Sequence, residues 1–91
     1  MNDVFKALAD PTRRQVLQAL KAGPQSAGRL ASAFPVSKPT MSAHFAVLRQ
    51  AGLVHSERCG SHVHYSLNRD KVAKSRKLFM ETLGRHLLED D

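Results

Sequence analysis

The hydrophobic period of this chain switches from helical to extended at Gly52, and no other feature restricts its fold as strongly. Before that point apolar residues recur at helical spacing: Val16, Leu17 and Leu20, then Leu30, Ala31 and Phe34, then Met41, Phe45 and Leu48. After it, "LVHSERC" and "HVHYSLN" alternate on either side of "GS", the pattern of a two-stranded hairpin with its tip at Gly60 and Ser61. Helical spacing returns at Val72, Phe79, Leu83 and Leu87.

The punctuation agrees with the periodicity. Asp3 is expected to cap a short first helix with Val4, Phe5 and Leu8 on one side. In "ADPTRRQVLQALKAG", Asp10 is the N-cap, Pro11 takes the first helical position and Gly23 follows the last turn. Pro24 blocks continuation. Ser26 opens a short third helix, and Ser37 caps a fourth over residues 38–50, with Pro39 in its first turn. Asn68 or Asp70 caps a last helix running to about Leu88. The predicted order is α-α-α-α-β-β-α, mostly helical with a small β-hairpin, which is a winged helix-turn-helix. At 91 residues with no linker or repeat, the chain is expected to be one domain over residues 1–91. A lone hairpin is marginal in water, so this one must lean on the helical body.

Fourteen Lys and Arg against eight Asp and Glu give a formal charge of +6 and favour a polyanionic partner, nucleic acid ahead of a membrane surface. One cysteine builds no disulfide framework, and no apolar run reaches the roughly 18 residues of a membrane span. The opening "MNDVFKALAD" carries an acid where a signal peptide needs bases, so the expected location is the cytoplasm. No paired carboxylates, Cys/His base pair or glycine-rich phosphate loop points to an enzyme, and no cofactor is expected.

A helix over 38–50 is about 20 Å long, enough to lie in a major groove. With Met41, Phe45 and Leu48 inward, it turns Lys38, Pro39, Ser42, Ala43, Ala46 and Arg49 outward, with no acid among them. Lys38 can reach guanine acceptors, and Ser42 can bond to bases or phosphate. Pro39 and Ala43 offer apolar contact to a thymine methyl, while Ser37 and Thr40 suit a backbone phosphate. His44 falls between the two faces and reads as a packed, hydrogen-bonded structural histidine. Arg13, Arg14 and Arg29 are candidate phosphate clamps, or ordinary solvated helix residues. The basic start of the last helix, with Arg69, Lys71, Lys74, Arg76 and Lys77, either adds to a DNA-facing field or is the solvated basic face of that helix.

The stretch "ERCGSHVHYS" brings Cys59, His62 and His64 close together. His62 and His64 are two apart in a strand and point to one side. The reading adopted is a wing. The alternative is a metal- or thiol-responsive regulatory site using Cys59, His62 and His64. The last helix offers His86 with Glu81, Glu89 and Asp90, a poor start for a zinc site.

At "LADPTRRQVLQAL", "SKPTMSAHFAVLRQAGLV" and "ER-G---HYSL" the chain resembles the ArsR/SmtB family of dimeric bacterial repressors, from about Val4 to Asn68. The opening "NDVFKALADPTRR" is most similar to the family's SdpR-like autorepressor branch. The resemblance implies a homodimer on an imperfect palindromic operator, with the first and last helices forming the interface through Val4, Phe5, Leu8, Phe79, Leu83 and Leu87. The family often carries larger polar residues where Pro39 and Ala43 stand, which implies a different operator. Metal sensors of the family that use the third helix place a Cys-x-Cys pair there. This chain has "SAGRLASAF" instead, which implies no metal effector at that position. Read as a wing, the hairpin is expected to set Arg58, Ser61 and His62 beside the minor groove or its phosphates.

Overall fold

The computed structural model describes residues 2–85. Its elements are α1 (Asn2–Leu8), α2 (Pro11–Ala19) with a 3-10 turn (Leu20–Ala22), β1 (Gln25–Ser26), α3 (Ala27–Ser32), α4 (Lys38–Gln50), β2 (Val54–Cys59), β3 (His62–Leu67) and α5 (Arg69–Leu83). This is the expected winged helix-turn-helix with one addition. The residues before α3 pair with the hairpin, making a three-stranded antiparallel sheet in the order β1-β3-β2. Gln25 lies opposite Tyr65 and Ser26 opposite His64. Two residues are too few to show alternation, so this strand leaves no local trace in the sequence.

Each helix boundary has a local chemical cause. Asp10 Oδ2 accepts from the N–H groups of Thr12 at 2.8 Å and Arg13 at 3.1 Å, and so caps α2. Ser26 caps α3 through the Arg29 N–H at 3.2 Å. Asn68 caps α5 through the Lys71 N–H at 3.2 Å, and Asp70 lies in that helix's first turn. The expectation for Asp3 needs correction. The chain is already helical at Asn2, so Asp3 sits inside the first turn, where its charge complements the helix dipole rather than capping it.

α4 ends in a Schellman motif. The Gly52 N–H donates to Arg49 O at 3.0 Å and the Leu53 N–H to Leu48 O at 3.2 Å, with Gly52 at φ 76°. That positive φ is what demands glycine, and the reversal sends Leu53 into the core, where it is 2% exposed. Asn68 ties the far end of the sheet to the same place: its Nδ2 donates to Gly52 O at 2.8 Å and its backbone N–H to Leu53 O at 2.9 Å.

The core gathers Val4, Ala7, Val16, Leu20, Leu30, Met41, Phe45, Leu48, Ala51, Leu53, Val54 and Tyr65. Every element except α3's neighbour β1 and the helix α5 contributes a buried side chain. Phe45 of α4 meets Tyr65 of β3 with ring centroids 4.8 Å apart, which seats the hairpin on the helical body. α5 buries no residue within its own chain. Residues 86–91, including His86 and Leu87, lie outside the described region.

Asp10 gives this fold an acid-sensitive joint. Partial desolvation works against its ionised form, but the Arg13 N–H, the His44 ring, the Thr12 N–H and the Arg13 charge outweigh it. Together they hold the carboxyl below its ordinary value of 3.8. A folded pKa below the unfolded one contributes stability that is present above the unfolded value and lost as pH falls through the folded one. Asp10→Asn keeps a capping side chain and removes the charge. The gap in urea midpoint between wild type and variant is expected to shrink as the pH is lowered from about 6 to about 2.5. A gap independent of pH would refute this role for Asp10.

Candidate nucleic-acid interface

No acidic residue occurs between Asp10 and Glu57. That span contains α2, α3, α4 and the first half of β2, together with Arg13, Arg14, Lys21, Arg29, Lys38 and Arg49. The helix-turn-helix therefore carries positive charge unopposed by any acid of its own.

Within this span α4 is displayed as its periodicity predicts. Met41, Phe45 and Leu48 are buried, His44 and Val47 half-buried, and Ser37, Lys38, Pro39, Thr40, Ser42, Ala43 and Arg49 exposed. The exposed side splits into two strips. Lys38, Ser42 and Arg49 line a groove of about 720 Å³ whose other walls are Ala27, Gly28 and Ala31 of α3 and Val63 and Tyr65 of β3. Pro39, Ala43 and Gln50 form the second strip with Ala46, which is half-buried rather than fully outward as expected. Gln50 is exposed and was not singled out by sequence. The spacing from Pro39 was the signal, and an amide there suits an adenine edge. The first turn of α4 is largely self-satisfied. Ser37 Oγ accepts from the Thr40 N–H at 3.4 Å and donates to Thr40 Oγ1 at 2.9 Å, while Pro39 has no N–H. The backbone donor left to a phosphate in that turn is the Lys38 N–H.

Strand register decides which way the hairpin residues face. Arg58 lies opposite Val63 and Ser56 opposite Tyr65, on the side of the sheet that meets the helices. Glu57 lies opposite His64 and Cys59 opposite His62, on the outer side. Arg58, Ser61 and His62 are all exposed around the tip, where Gly60 turns at φ 65°. His62 and His64 share a face, as their spacing predicts. His64 is half-buried beside Ser26 of β1, and its Nδ1 is buried without a hydrogen-bond partner. Cys59 is exposed, and its thiol donates to Glu57 Oε1 at 3.7 Å, a carboxylate rather than the cation that activates a thiol. Among the described residues no three His, Cys, Asp or Glu side chains converge as a metal site would require.

Three basic side chains are engaged by backbone carbonyls of this chain. Arg13 donates to Lys6 O, Ala7 O and His44 Nδ1, and Arg14 donates to Leu8 O. Both reach carbonyls at the end of α1, where the following backbone supplies Lys6 O with the Ala9 N–H at 3.3 Å. Arg69 likewise donates to Lys21 O at 2.8 Å. Arg29 is exposed on α3. His44 is packed and hydrogen-bonded, as read from its position.

A second surface lies on α1 and α5. Phe5, Leu8, Leu78, Phe79 and Met80 are exposed by 43, 39, 49, 41 and 58%. Phe5 and Phe79 meet edge to face with centroids 5.6 Å apart, above an apolar hollow lined by Val4, Leu17, Leu53 and Val72. Of the residues expected here, Val4 is only 4% exposed and belongs to this chain's own core, and Leu83 is half-buried. Leu78 and Met80 were missed, because a single helical stripe through Phe79 does not pass through them. Among the described residues no helix is long and apolar enough to cross a membrane.

Comparison with known proteins agrees with this architecture. A family model described as a helix-turn-helix domain matches residues 8–57. The chain is 48% identical over 68 residues to the transcriptional repressor SdpR of Bacillus subtilis (strain 168), covering 75% of this chain and 76% of that protein. It is 40% identical over 72 residues to the HTH-type transcriptional regulator Rv2034 of Mycobacterium tuberculosis, covering 79% and 67%. A solved structure of a possible transcriptional regulator for arsenical resistance superposes with TM-score 0.82 at 36% identity, covering 93% of this chain and 88% of that one. An ArsR family transcriptional regulator superposes with TM-score 0.80 at 30% identity, covering 89% and 84%.

The Ser37 cap is testable without DNA. Its bond to the Thr40 N–H is long, so Ser37→Ala is expected at the low end of the N-cap range, about 0.5–1 kcal/mol of stability, and Ser37→Gly at a few tenths. Urea denaturation measures both, and equal losses for the two variants would show that Ser37 does not cap α4.

Proposed function

This chain belongs to the ArsR/SmtB family of winged helix-turn-helix transcriptional repressors, in its SdpR-like branch, and from that premise we propose that it binds a palindromic operator as a homodimer and controls its own expression. It is a DNA-binding regulator and not an enzyme. In the proposed complex the α4 helices of two subunits enter successive major grooves about 34 Å apart. Lys38, Ser42 and Arg49 face bases or phosphates from one strip, and Pro39 and Ala43 bring the helix close from the other. Ser37 and Thr40 lie at the phosphate beside the helix start. Arg58, Ser61 and His62 of the wing flank the adjoining backbone.

One observation carries the dimer. α5 buries no residue in its own chain, yet it exposes Leu78, Phe79 and Met80, and Phe79 meets Phe5 of α1 edge to face beside Leu8. Exposed large apolar side chains grouped on two helices of a small basic domain are what a partner subunit covers. A two-fold axis through α1 and α5 makes the contact self-complementary and places both α4 helices on one side. The repressor takes no metal effector in this reading: α3 carries no thiol, and the described part of α5 carries neither histidine nor cysteine.

Two outcomes test the reading on a duplex enriched from a random pool. Lys38→Ala and Ser42→Ala are each expected to weaken operator binding by about 1–3 kcal/mol, roughly 5- to 150-fold, with dimerisation unchanged. Unchanged binding in both would show that α4 does not read the operator. Phe79→Ala is expected to weaken the dimer and operator binding together, since truncating a central aromatic at an interface costs about 2 kcal/mol or more. A monomeric variant that held the operator at full affinity would contradict the dimer.

A further inference from the structure

One side chain joins three helices. The guanidinium of Arg13, on α2, donates through Nε to Ala7 O at 2.9 Å and through Nη2 to Lys6 O at 2.7 Å, closing the last turn of α1. Its remaining nitrogen, Nη1, donates to Nδ1 of His44 on α4 at 3.1 Å. The opposite edge of that imidazole faces Asp10. Nε2 lies 3.9 Å from Oδ2, the oxygen that caps α2 through the Thr12 and Arg13 N–H groups. A guanidinium has no acceptor, so His44 meets it with an unprotonated Nδ1 and carries its proton on Nε2, toward Asp10. The His44 side chain is 13% exposed, so water offers little substitute for either partner.

We propose that Arg13 and His44 are positioning residues for operator recognition, locking the reading helix α4 at a set angle to α1. The inference rests on the homodimer reading above, in which α1 lies at the subunit contact and α4 at the DNA. Two α4 helices reach successive grooves only if each keeps its orientation relative to the two-fold axis. α4 is about 20 Å long, so a tilt of about 10° shifts one end against the other by about 3–4 Å, as much as a whole hydrogen-bond length. The apolar packing between α1 and α4 attracts without direction. A planar fork holding acceptors on two helices at once is directional, and a lysine could not hold all three. Burial of Val4 and Ala7 brings α1 onto α4; Arg13 and His44 set the angle at which it rests.

The test compares wild type with Arg13→Lys, His44→Ala, the double variant and His44→Asn. Binding to the enriched operator, binding to a scrambled duplex, the dimer constant and the melting temperature are measured for each. Asparagine places Oδ1 where the imidazole has Nδ1, so it can still accept from Arg13. Arg13→Lys and His44→Ala are each expected to lower operator affinity roughly tenfold, with the double variant no worse than either single. Scrambled-duplex binding should stay within about twofold, because charge is conserved. His44→Asn should retain most of the operator affinity.

Additive losses, a parallel fall on the scrambled duplex, or affinities that merely follow the dimer constant or melting temperature would overturn the proposal. Lys38→Ala in the same series keeps the two readings apart. If it loses affinity while the Arg13 and His44 variants do not, the positioning role is wrong and the reading helix stands. If none of the variants changes binding, the reading helix fails and the positioning role with it.

Discussion

The inner face of α4 is wedged between α1, α2 and the sheet, and three side chains hold it there. Met41 and Leu48 have no exposed surface, and Phe45 rests on Tyr65 at 4.8 Å. Full burial of such side chains is worth about 1.5–3 kcal/mol each, a large share of the few kcal/mol by which a domain this small is stable. Once that face is committed, the opposite face has no freedom. Lys38, Ser42 and Arg49 must look toward the groove beside β3, and Pro39 and Ala43 toward solvent. A rotation of α4 that buried Lys38 or Arg49 would place an unpaired charge in an apolar site, which costs more than the rotation could gain. Packing thus selects the surface that α4 leaves open to solvent.

Short helices need their neighbours, and this fold supplies them at the joints. α1 has seven residues and α3 six, both below the length at which a helix persists alone. α1 gains its last turn from Arg13 and Arg14 of α2, and α3 begins inside the strand that pairs with β3. The Schellman turn at Gly52 and the two bonds from Asn68 bring the end of α4, the base of the wing and the start of α5 to one point. The wing is therefore anchored at its base and free at its tip, where Arg58, Gly60, Ser61 and His62 are all exposed. In the proposed complex such a tip follows the DNA backbone while its base stays in register.

The molecule keeps its two chemistries apart. Its acid-free span forms the helix-turn-helix, and among the described residues the exposed large apolar side chains lie on α1 and α5. The core lies between, so a change at one surface reaches the other only through packed or hydrogen-bonded side chains. In the proposed repressor, Arg13 and His44 are the polar part of that route. The outer face of the wing, with Glu57, Cys59, His62 and His64, is a separate polar surface with its own exposed thiol.

Most of the helical frame was legible because its determinants act within one turn. Asp10, Ser26, Ser37 and Asn68 cap through N–H groups two or three residues away, and Gly52 ends α4 through its own φ. The alternation that puts His62 and His64 on one face is equally local. Other features depend on partners that are distant along the chain. β1 exists because Gln25 and Ser26 meet Tyr65 and His64. Arg13 and Arg14, plausible phosphate clamps by charge, are turned onto the end of α1 because it presents carbonyls in need of donors. Val4 lies in the core and Leu78 and Met80 on the surface because packing, not periodicity, decides which side of a short or peripheral helix is covered. The sequence by itself determined the caps of α2 to α5, the reversals at Gly52 and Gly60, and which face of α4 is apolar. The tertiary structure alone decided which basic side chains stay outward and what remains uncovered on α5. Charge and periodicity belong to residues one at a time, whereas covering a surface or satisfying a carbonyl takes a partner that only folding brings near.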